Sequence, residues 1–471
     1  MSEFGALQTA LSGLLAHRRA IEVIGQNITN ANTEGFTRRR IDLTPAGSST
    51  GAAVWATNNG TGTGVDVAGV TRVREEFLDT KMRRQLGADG SASQLSDIMS
   101  QIENIVPEPS DTGIATQISE LWGAFDDAAA HPDDLSVRSA LLATANSLAD
   151  TLNAASTSMT DLRTNLSTEL NVNIAQVNAD AARVAELNSS ILAARASQSE
   201  PHDLEDQRDL IIDRLGKSVG ATTRTQGDGT VDVFLGGSTL VRGDHADALK
   251  VVTGGTLDPP YNTMPLQKVD IRWVSDGYPA TQMTGEVAGK LMGVNTLIPQ
   301  YLNGLDGVAS SLVTAVNAQH VTGHGLAATD VNLNFFDPTA TTAADIAVST
   351  DVAGQPSRIA LAAGTAGALD GSLGHAIGAL VDSSTGPDAI YRSYVGRLGV
   401  DTQSAVRRTA VATAMTNQFD QDRKASNGVS LDEEMTSLVA TQRAYEASAR
   451  VMTAVDQLLD QLISRTGMVG R

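Results

Sequence analysis

The chain has no cysteine among its 471 residues. That excludes disulfides, thiolate metal sites and thiol catalysis. A thiol-free chain of this length suits an exported protein that must not crosslink. Aromatic residues make up only 4% of it, so Ala, Leu and Val must fill the cores, as in helix-rich proteins. It has no run of 18 or more apolar residues, so no transmembrane helix is expected. Basic residues are scarce: 34 Lys and Arg stand against 54 Asp and Glu, a net charge of −20. A nucleic-acid or anionic-membrane binder carries a basic patch instead, so neither partner is expected. The start, Met1-Ser2-Glu3-Phe4-Gly5, lacks the basic n-region, apolar core and small-residue cleavage site of a cleaved secretion signal. Apolar residues still reach 41%, enough for real cores, in a chain too long for one ordinary domain.

Both ends carry a helical seam. Leu7, Leu11, Leu14, Ile21, Ile24 and Ile28 recur at steps built from three and four. Leu438, Tyr445, Met452 and Leu459 recur every seven residues, with Met435, Gln442, Val455 and Leu462 between them. Such steps put a narrow apolar stripe on one side of a helix. Chain ends are normally frayed and polar. Each of these needs a partner, first the other end of the chain and then the same pair on neighbouring subunits. All these residues, from Leu7 to Leu462, are therefore expected to form a self-assembly interface.

Between the ends, the pattern changes several times. The first helix runs from about residue 5 to 30 and breaks at Asn30-Ala31-Asn32-Thr33-Glu34-Gly35-Phe36. Thr44 to Gly64 reads as loop. Val65 to Val73 reads as strand, with a possible bulge at Gly69. Residues 91–216 are helical, cut by Pro107, Pro109 and Pro132. The longest piece, about 150–197, carries Leu170, Val177, Val184 and Ile191 at sevenfold spacing, a rod on the order of 70 Å long. Residues 218–284 alternate as strands, helix returns over 285–319, and 321–370 reads as strands and loops. A helix-terminating Ser426-Asn427-Gly428 precedes Ser430 and Glu433, a capping-box spacing that opens the last helix. The expected fold is mainly α with β insertions (α+β), with coiled-coil terminal helices, a long helical bundle and small β-rich domains in the middle. The expected domains are nested. Residues 1–36 with 429–471 form a terminal axial domain. Residues 37–217 with 285–428 form a mixed core that includes 321–370. Residues 218–284 form a β-rich outer insertion.

No catalytic set emerges. His320 and His324 are four apart, a possible metal pair, but Gly323 lies between them at a helix end and no third ligand is evident. Asp330, Asn332 and Asn334 resemble the start of a calcium loop, yet Phe335 stands where Gly is needed. Gly60, Gly62 and Gly64 alternate too tightly for a dinucleotide fingerprint. The run Asp203 to Asp209 reads as an acidic first helical turn beside the dipole rather than as acid–base chemistry. Arg38-Arg39-Arg40 is the one basic run, suited either to an acidic neighbour or to a solvated loop. No cofactor, metal or enzymatic activity is expected.

Two terminal segments resemble the signatures of flagellar axial proteins, the rod, hook and hook-associated proteins. The first is Ala10-Leu11-Ser12-Gly13-Leu14 with Asn27-Ile28-Thr29-Asn30-Ala31-Asn32-Thr33-Glu34-Gly35-Phe36-Thr37-Arg38. The second is Val429 to Met435 with Gln442-Arg443-Ala444-Tyr445-Glu446-Ala447-Ser448-Ala449-Arg450. Asn27, Asn30, Asn32, Gly35, Phe36, Leu431, Glu433, Glu434, Gln442 and Tyr445 carry those signatures. Asp203-Leu204, Asp206 to Asp209 and Ile298 to Leu302 resemble motifs of the hook–filament junction type, the FlgK family. The resemblance implies a secreted structural adaptor that self-assembles and exports through the flagellar channel. Its implied partners are itself, the hook protein on one side, a second junction protein on the other and an export chaperone. The alternatives are a hook or distal-rod protein, or an extracellular hydrolase borne on a flagellar scaffold.

Overall fold

The structure, a computed structural model, describes residues 3–46, 64–327 and 329–466. Most of the loop expected at 44–64, with Gly60 and Gly62, lies outside the described residues. Helix α1 (Glu3–Asn30) leads into the antiparallel hairpin of β1 (Arg39–Pro45) and β2 (Val65–Arg72). The register shifts between Asp42 and Leu43, leaving Ala68 as the extra residue beside Gly69. Helices α2 (Glu76–Ile105), α3 (Ile114–Ala130), α4 (Leu135–Ala196) and α5 (His202–Val219) follow, separated at the prolines.

Helix α4 is the spine. Its 62 residues span about 90 Å. Asp134 caps it by accepting the Ser136 N–H at 2.7 Å. The helix begins well before residue 150, and its early seam combines Leu141, Leu148 and Leu152 with Ala145, Ala149 and Ala155. From Leu141 to Ile191 the buried positions then step by three and four without a break. Helix α5 stops at Gly220, whose φ of 71° and close approach to Thr284 leave no room for a side chain.

The β-rich segment lies along α4. One sheet has the order β3 (Thr222–Thr225), β4 (Val231–Leu235), β5 (Ser238–Arg242), β6 (His245–Ala246). A second pairs β7 (Leu249–Thr256) with β8 (Gln267–Trp273). Two asparagines of α4 hold them. Asn188 donates to the Val231 and Gly243 carbonyls and accepts from the Val231 N–H. Asn178 pairs with both backbone groups of Leu249 at 2.8 Å. Val233, Leu240, Ile271 and Trp273 join the same buried cluster as α4. The segment expected as an outer insertion is therefore a packed layer of the core.

Helix α6 (Gly285–Met292), a π-helical turn (Gly293–Leu297) and α7 (Ile298–His320) pack back along α4, as their apolar spacing predicts. Residues 321–370 are mostly turns, with one short pair between β9 (Gly323–His324) and β10 (Ala362–Ala363). After α8 (Ser372–Gly378) come α9 (Pro387–Asn427) and α10 (Leu431–Thr466). Helix α9 packs along α2, and α10 returns to α1. The two terminal helices thus pair in one coiled coil.

Candidate assembly interface

Helices α1 and α10 run antiparallel, with Gly13 against Ser448 and Asn27 bonded to Glu434 at 3.1 Å. The stripe that α1 buries is mostly small: Ala10, Ala16, Ala20, then Val23, Ile24 and Asn27. Of the residues expected there, Ile24 is buried, Leu7, Leu14, Ile21 and Ile28 are half-buried, and Leu11 is 43% exposed. Small residues let two elements approach the helix at once, α10 on one side and β2 on the other. On α10, Leu438, Tyr445, Met452 and Leu459 are half-buried at the seam and Val455 is buried. The intervening register is Glu434, Thr441, Ser448 and Val455. Met435 and Gln442 sit one residue off it and are exposed, as is Leu462 near the end of the pair. Within the subunit, then, Leu11, Met435 and Gln442 are outside the seam, whereas Leu462 continues its register one heptad past Val455 and is 44% exposed. Leu11, Met435 and Gln442 flank the seam, alongside Leu15, Val439, Val451 and Leu458, all more than 40% exposed.

The base of the coiled coil is a polar knot. Asn27, 1% exposed, pairs with both backbone groups of Arg39 on β1, and its amide also donates to Glu434. Glu434, 2% exposed, accepts from Arg38 Nε at 2.8 Å. Arg38 also reaches Glu433 at 3.0 Å, and its N–H donates to the Asn427 carbonyl. Glu433 N–H approaches Ser430 Oγ at 3.5 Å, closing one arm of the expected cap. Phe36 lies under the Arg39 guanidinium, 5.0 Å away. Gly35 takes a φ of 80° beside Leu210. Asn30 turns inward on its own helix end, bonding Gln26 and Thr33. Leu431, at the start of α10, and Asn32 are exposed.

A charge cluster joins this unit to the core. Arg72 meets Glu205, Asp206 and Asp209 at 3.2, 2.9 and 2.6 Å. Arg39 pairs with Asp203 and Asp206, and Arg74 with Asp79 and Asp209. Arg83 and Arg423 converge on Asp213. Burial would raise the Glu205 carboxyl, but bonds from His202 and Arg195 and the Arg72 charge hold it down at about 2. Burial lowers Arg208 to about 10. The free edge of β2 is also met by side chains: Glu200 accepts from the Val70 N–H, and His202 Nε2 lies 2.7 Å from the Val70 carbonyl. The acidic run Asp203 to Asp209 does open α5 as an acidic first turn, and its carboxylates also form the joint to the hairpin. The missed half is Arg72, Arg74 and Arg83. Their spacing along a strand and a following helix gives no pattern, because they converge only in three dimensions.

The histidine pair holds no metal-like arrangement. His320 is fully buried, receives the Ala360 N–H on Nε2, and points Nδ1 at the Leu333 carbonyl 2.7 Å away. Burial pushes it down to about 4, the behaviour of a neutral core residue. His324 faces two carbonyls, those of Gly325 and Ala366. Asp330 lies by Arg358, and the Asn334 N–H donates to Asp351. Among the described residues no three His, Asp or Glu side chains form a metal-sized group.

The family profile described as flagellar hook-associated protein FlgK helical domain matches residues 99–336. Profiles for the flagella basal body rod protein and the basal body rod FlgEFG protein C-terminal match 7–37 and 425–465. The chain belongs to the FlgK family of flagellar hook-associated proteins. It is 29% identical to flagellar hook-associated protein 1 of Bacillus subtilis, over the whole of both chains. It is also 29% identical to the protein of that name from Salmonella typhimurium, over 67% of this chain and 56% of the relative. A solved structure, the flagellar hook junction protein FlgK from Burkholderia pseudomallei, shares the fold. Its TM-score is 0.62 at 15% identity, over 73% of this chain and 99% of that one. The chain is a structural component of the bacterial flagellum, not an enzyme.

Proposed function

We propose that this subunit forms, with copies of itself, the layer that joins hook to filament. Its partners are the hook protein on one side and a second junction protein on the other, and a chaperone accompanies it before export. The terminal unit, 1–36 with 429–471, is the assembly module, and residues 37–428 form the body that it carries. Leu11, Met435 and Leu462 belong to the contacts between subunits, whereas Ile24, Leu438, Tyr445, Met452, Val455 and Leu459 chiefly shape the seam within one. Leu7, Leu14, Ile21 and Ile28 are shared by both. The observation that carries this reading is the row of exposed large apolar residues on both terminal helices, Leu11, Leu15, Met435, Val439, Val451 and Leu458. Exposed apolar surface on a paired helix calls for a further partner. Such surface repeated head to tail builds rings or tubes rather than closed dimers. Gold-labelled antibody against the chain, applied to isolated hook–filament preparations, tests the placement. Label confined to the boundary is expected; label along the hook or the filament overturns it.

A further inference from the structure

The link between the body and α10 is an Asn-Gly pair. Asn427 is the last residue of α9, and residues 428–430 lead from it into α10. In such a pair a backbone nitrogen sits next to a side-chain amide, and glycine has no side chain to shield that nitrogen. The sequence holds two others: Asn59-Gly60, outside the described residues, and Asn303-Gly304, inside α7. Asn427 is 9% exposed, yet its Oδ1 meets no donor among the described residues. A buried polar atom left unpaired costs stability. The backbone around it is held instead. Gly428 N–H donates to the Lys424 carbonyl at 2.8 Å, and the Asn427 carbonyl accepts the Arg38 N–H at 3.2 Å. Arg38 is in turn fixed by Glu433 and Glu434. Attack of the Gly428 nitrogen on the Asn427 amide needs that nitrogen free of Lys424 and the last turn of α9 unwound. The closed knot blocks both. The turn is also tight, since a Cβ at Gly428 would collide with the Lys424 carbonyl oxygen.

We propose that Asn427-Gly428 is a deamidation site controlled by the terminal coiled coil. When the knot opens, the Gly428 nitrogen loses its proton, attacks Cγ of Asn427 and expels the amide nitrogen, which leaves as ammonia with that proton. The succinimide so formed takes up one water, which breaks one of its two ring C–N bonds. One route leaves aspartate. The other leaves isoaspartate, in which the main chain runs through the former side chain. Isoaspartate adds a methylene to the backbone and displaces the carbonyl that met Arg38. The tight turn at Gly428 has no room for an extra backbone atom, so a converted chain does not reclose α10 on the knot. Closed chains are preserved, because reaction proceeds only from the locally opened unit. The site therefore sorts chains by how long their termini have stood open.

Peptide mapping tests this. The full-length protein is incubated in mildly alkaline buffer and digested. Mass spectrometry then resolves the peptides that span 303–304 and 427–428 into asparaginyl, aspartyl and isoaspartyl forms. In the unaltered chain both pairs should convert slowly. Glu434→Ala removes the buried acceptor of the knot, so conversion at Asn427 should rise roughly 100-fold, in step with the opening equilibrium. Conversion at Asn303, inside α7, should stay unchanged. Arg38→Ala opens the same knot from its other side and is expected to act alike. Asn427→Gln, whose side chain would have to close a larger and slower-forming ring, is expected to give no product at this position. Chains that carry isoaspartate there should exchange their α10 amides faster than chains that keep Asn427. Conversion at Asn427 no faster in either variant than in the unaltered chain overturns the proposal, as does equal conversion at Asn303 in both. Isoaspartyl chains whose α10 amides exchange as slowly as before overturn the block on reclosing.

Discussion

Replacing Glu434 by alanine should open the coiled coil without unfolding the core. The carboxylate is 2% exposed and accepts from Arg38 at 2.8 Å and from Asn27 at 3.1 Å. Bonds to a buried charge contribute about 1.5–3 kcal/mol each. Arg38 keeps Glu433 and its side chain is 27% exposed, so water replaces part of the loss. Asn27 keeps its bonds to Arg39. The net cost is then about 3 kcal/mol, from the lost bonds of Arg38 and Asn27 to the buried carboxylate. That free energy corresponds to a roughly 150-fold rise in the opening equilibrium. Amide hydrogen exchange reads it directly, because exchange from a locally opening unit follows its own free energy. Amides of α1 and α10 should exchange about 100-fold faster, while those of α3 and α4 keep their rates. Glu433→Ala serves as the control. Its side chain is 65% exposed, and such pairs contribute under about 1 kcal/mol. Unchanged exchange in α1 and α10, or an equal rise in α3 and α4, would refute the reasoning.

Other consequences can be measured. Leu438→Asp or Met452→Asp places a carboxylate in the α1–α10 seam, at a cost of several kcal/mol, so each should block incorporation while the core melts normally. Normal filaments from either variant would misplace the seam. Acid should loosen the joint. Glu205 sits at about 2 in the folded chain against an ordinary 4.5, so its contribution is complete above pH 4.5 and is lost as pH falls toward 2. Cleavage by an acid protease within residues 37–75 should therefore rise across that window, and a flat profile would remove Glu205 from the joint. Replacing residues 222–282 with a Gly/Ser linker should lower the core melting temperature by more than about 10 °C, since Val233, Leu240 and Ile271 leave α4 uncovered. Melting unchanged to within a few degrees would mean that the β layer is separable.

The long helices were legible because their burial repeats every three to four residues, as along α4. The assembly seam was only half legible. Leucines at 7, 11 and 14 carry the visible period, yet Ala10, Ala16 and Ala20 make the close contact, and alanine leaves little trace in a hydrophobicity pattern. On α10 the buried register runs through Glu434, Thr441 and Ser448, polar residues that an apolar search passes over in favour of Met435 and Gln442. Asn27, Gly35, Phe36, Glu433 and Glu434 meet at the base of the coiled coil, although sequence spacing gave no reason for that meeting. Strand β1 was missed because Arg38, just before it, and its own Arg39 and Arg40 read as a basic run, whereas each has an acidic partner: Glu434, Asp206 and Asp42. The carboxylates of α5 were read alone because their arginines come from the hairpin and α2, more than a hundred residues earlier in the chain.

The most direct test of the chain as junction adaptor is removal of its gene from the parent cell, with hooks and culture medium examined together. The account predicts complete hooks without filaments, filament subunits shed into the medium, and recovery when the intact chain is supplied. Filaments of normal length on the hooks of the deletion strain would contradict it.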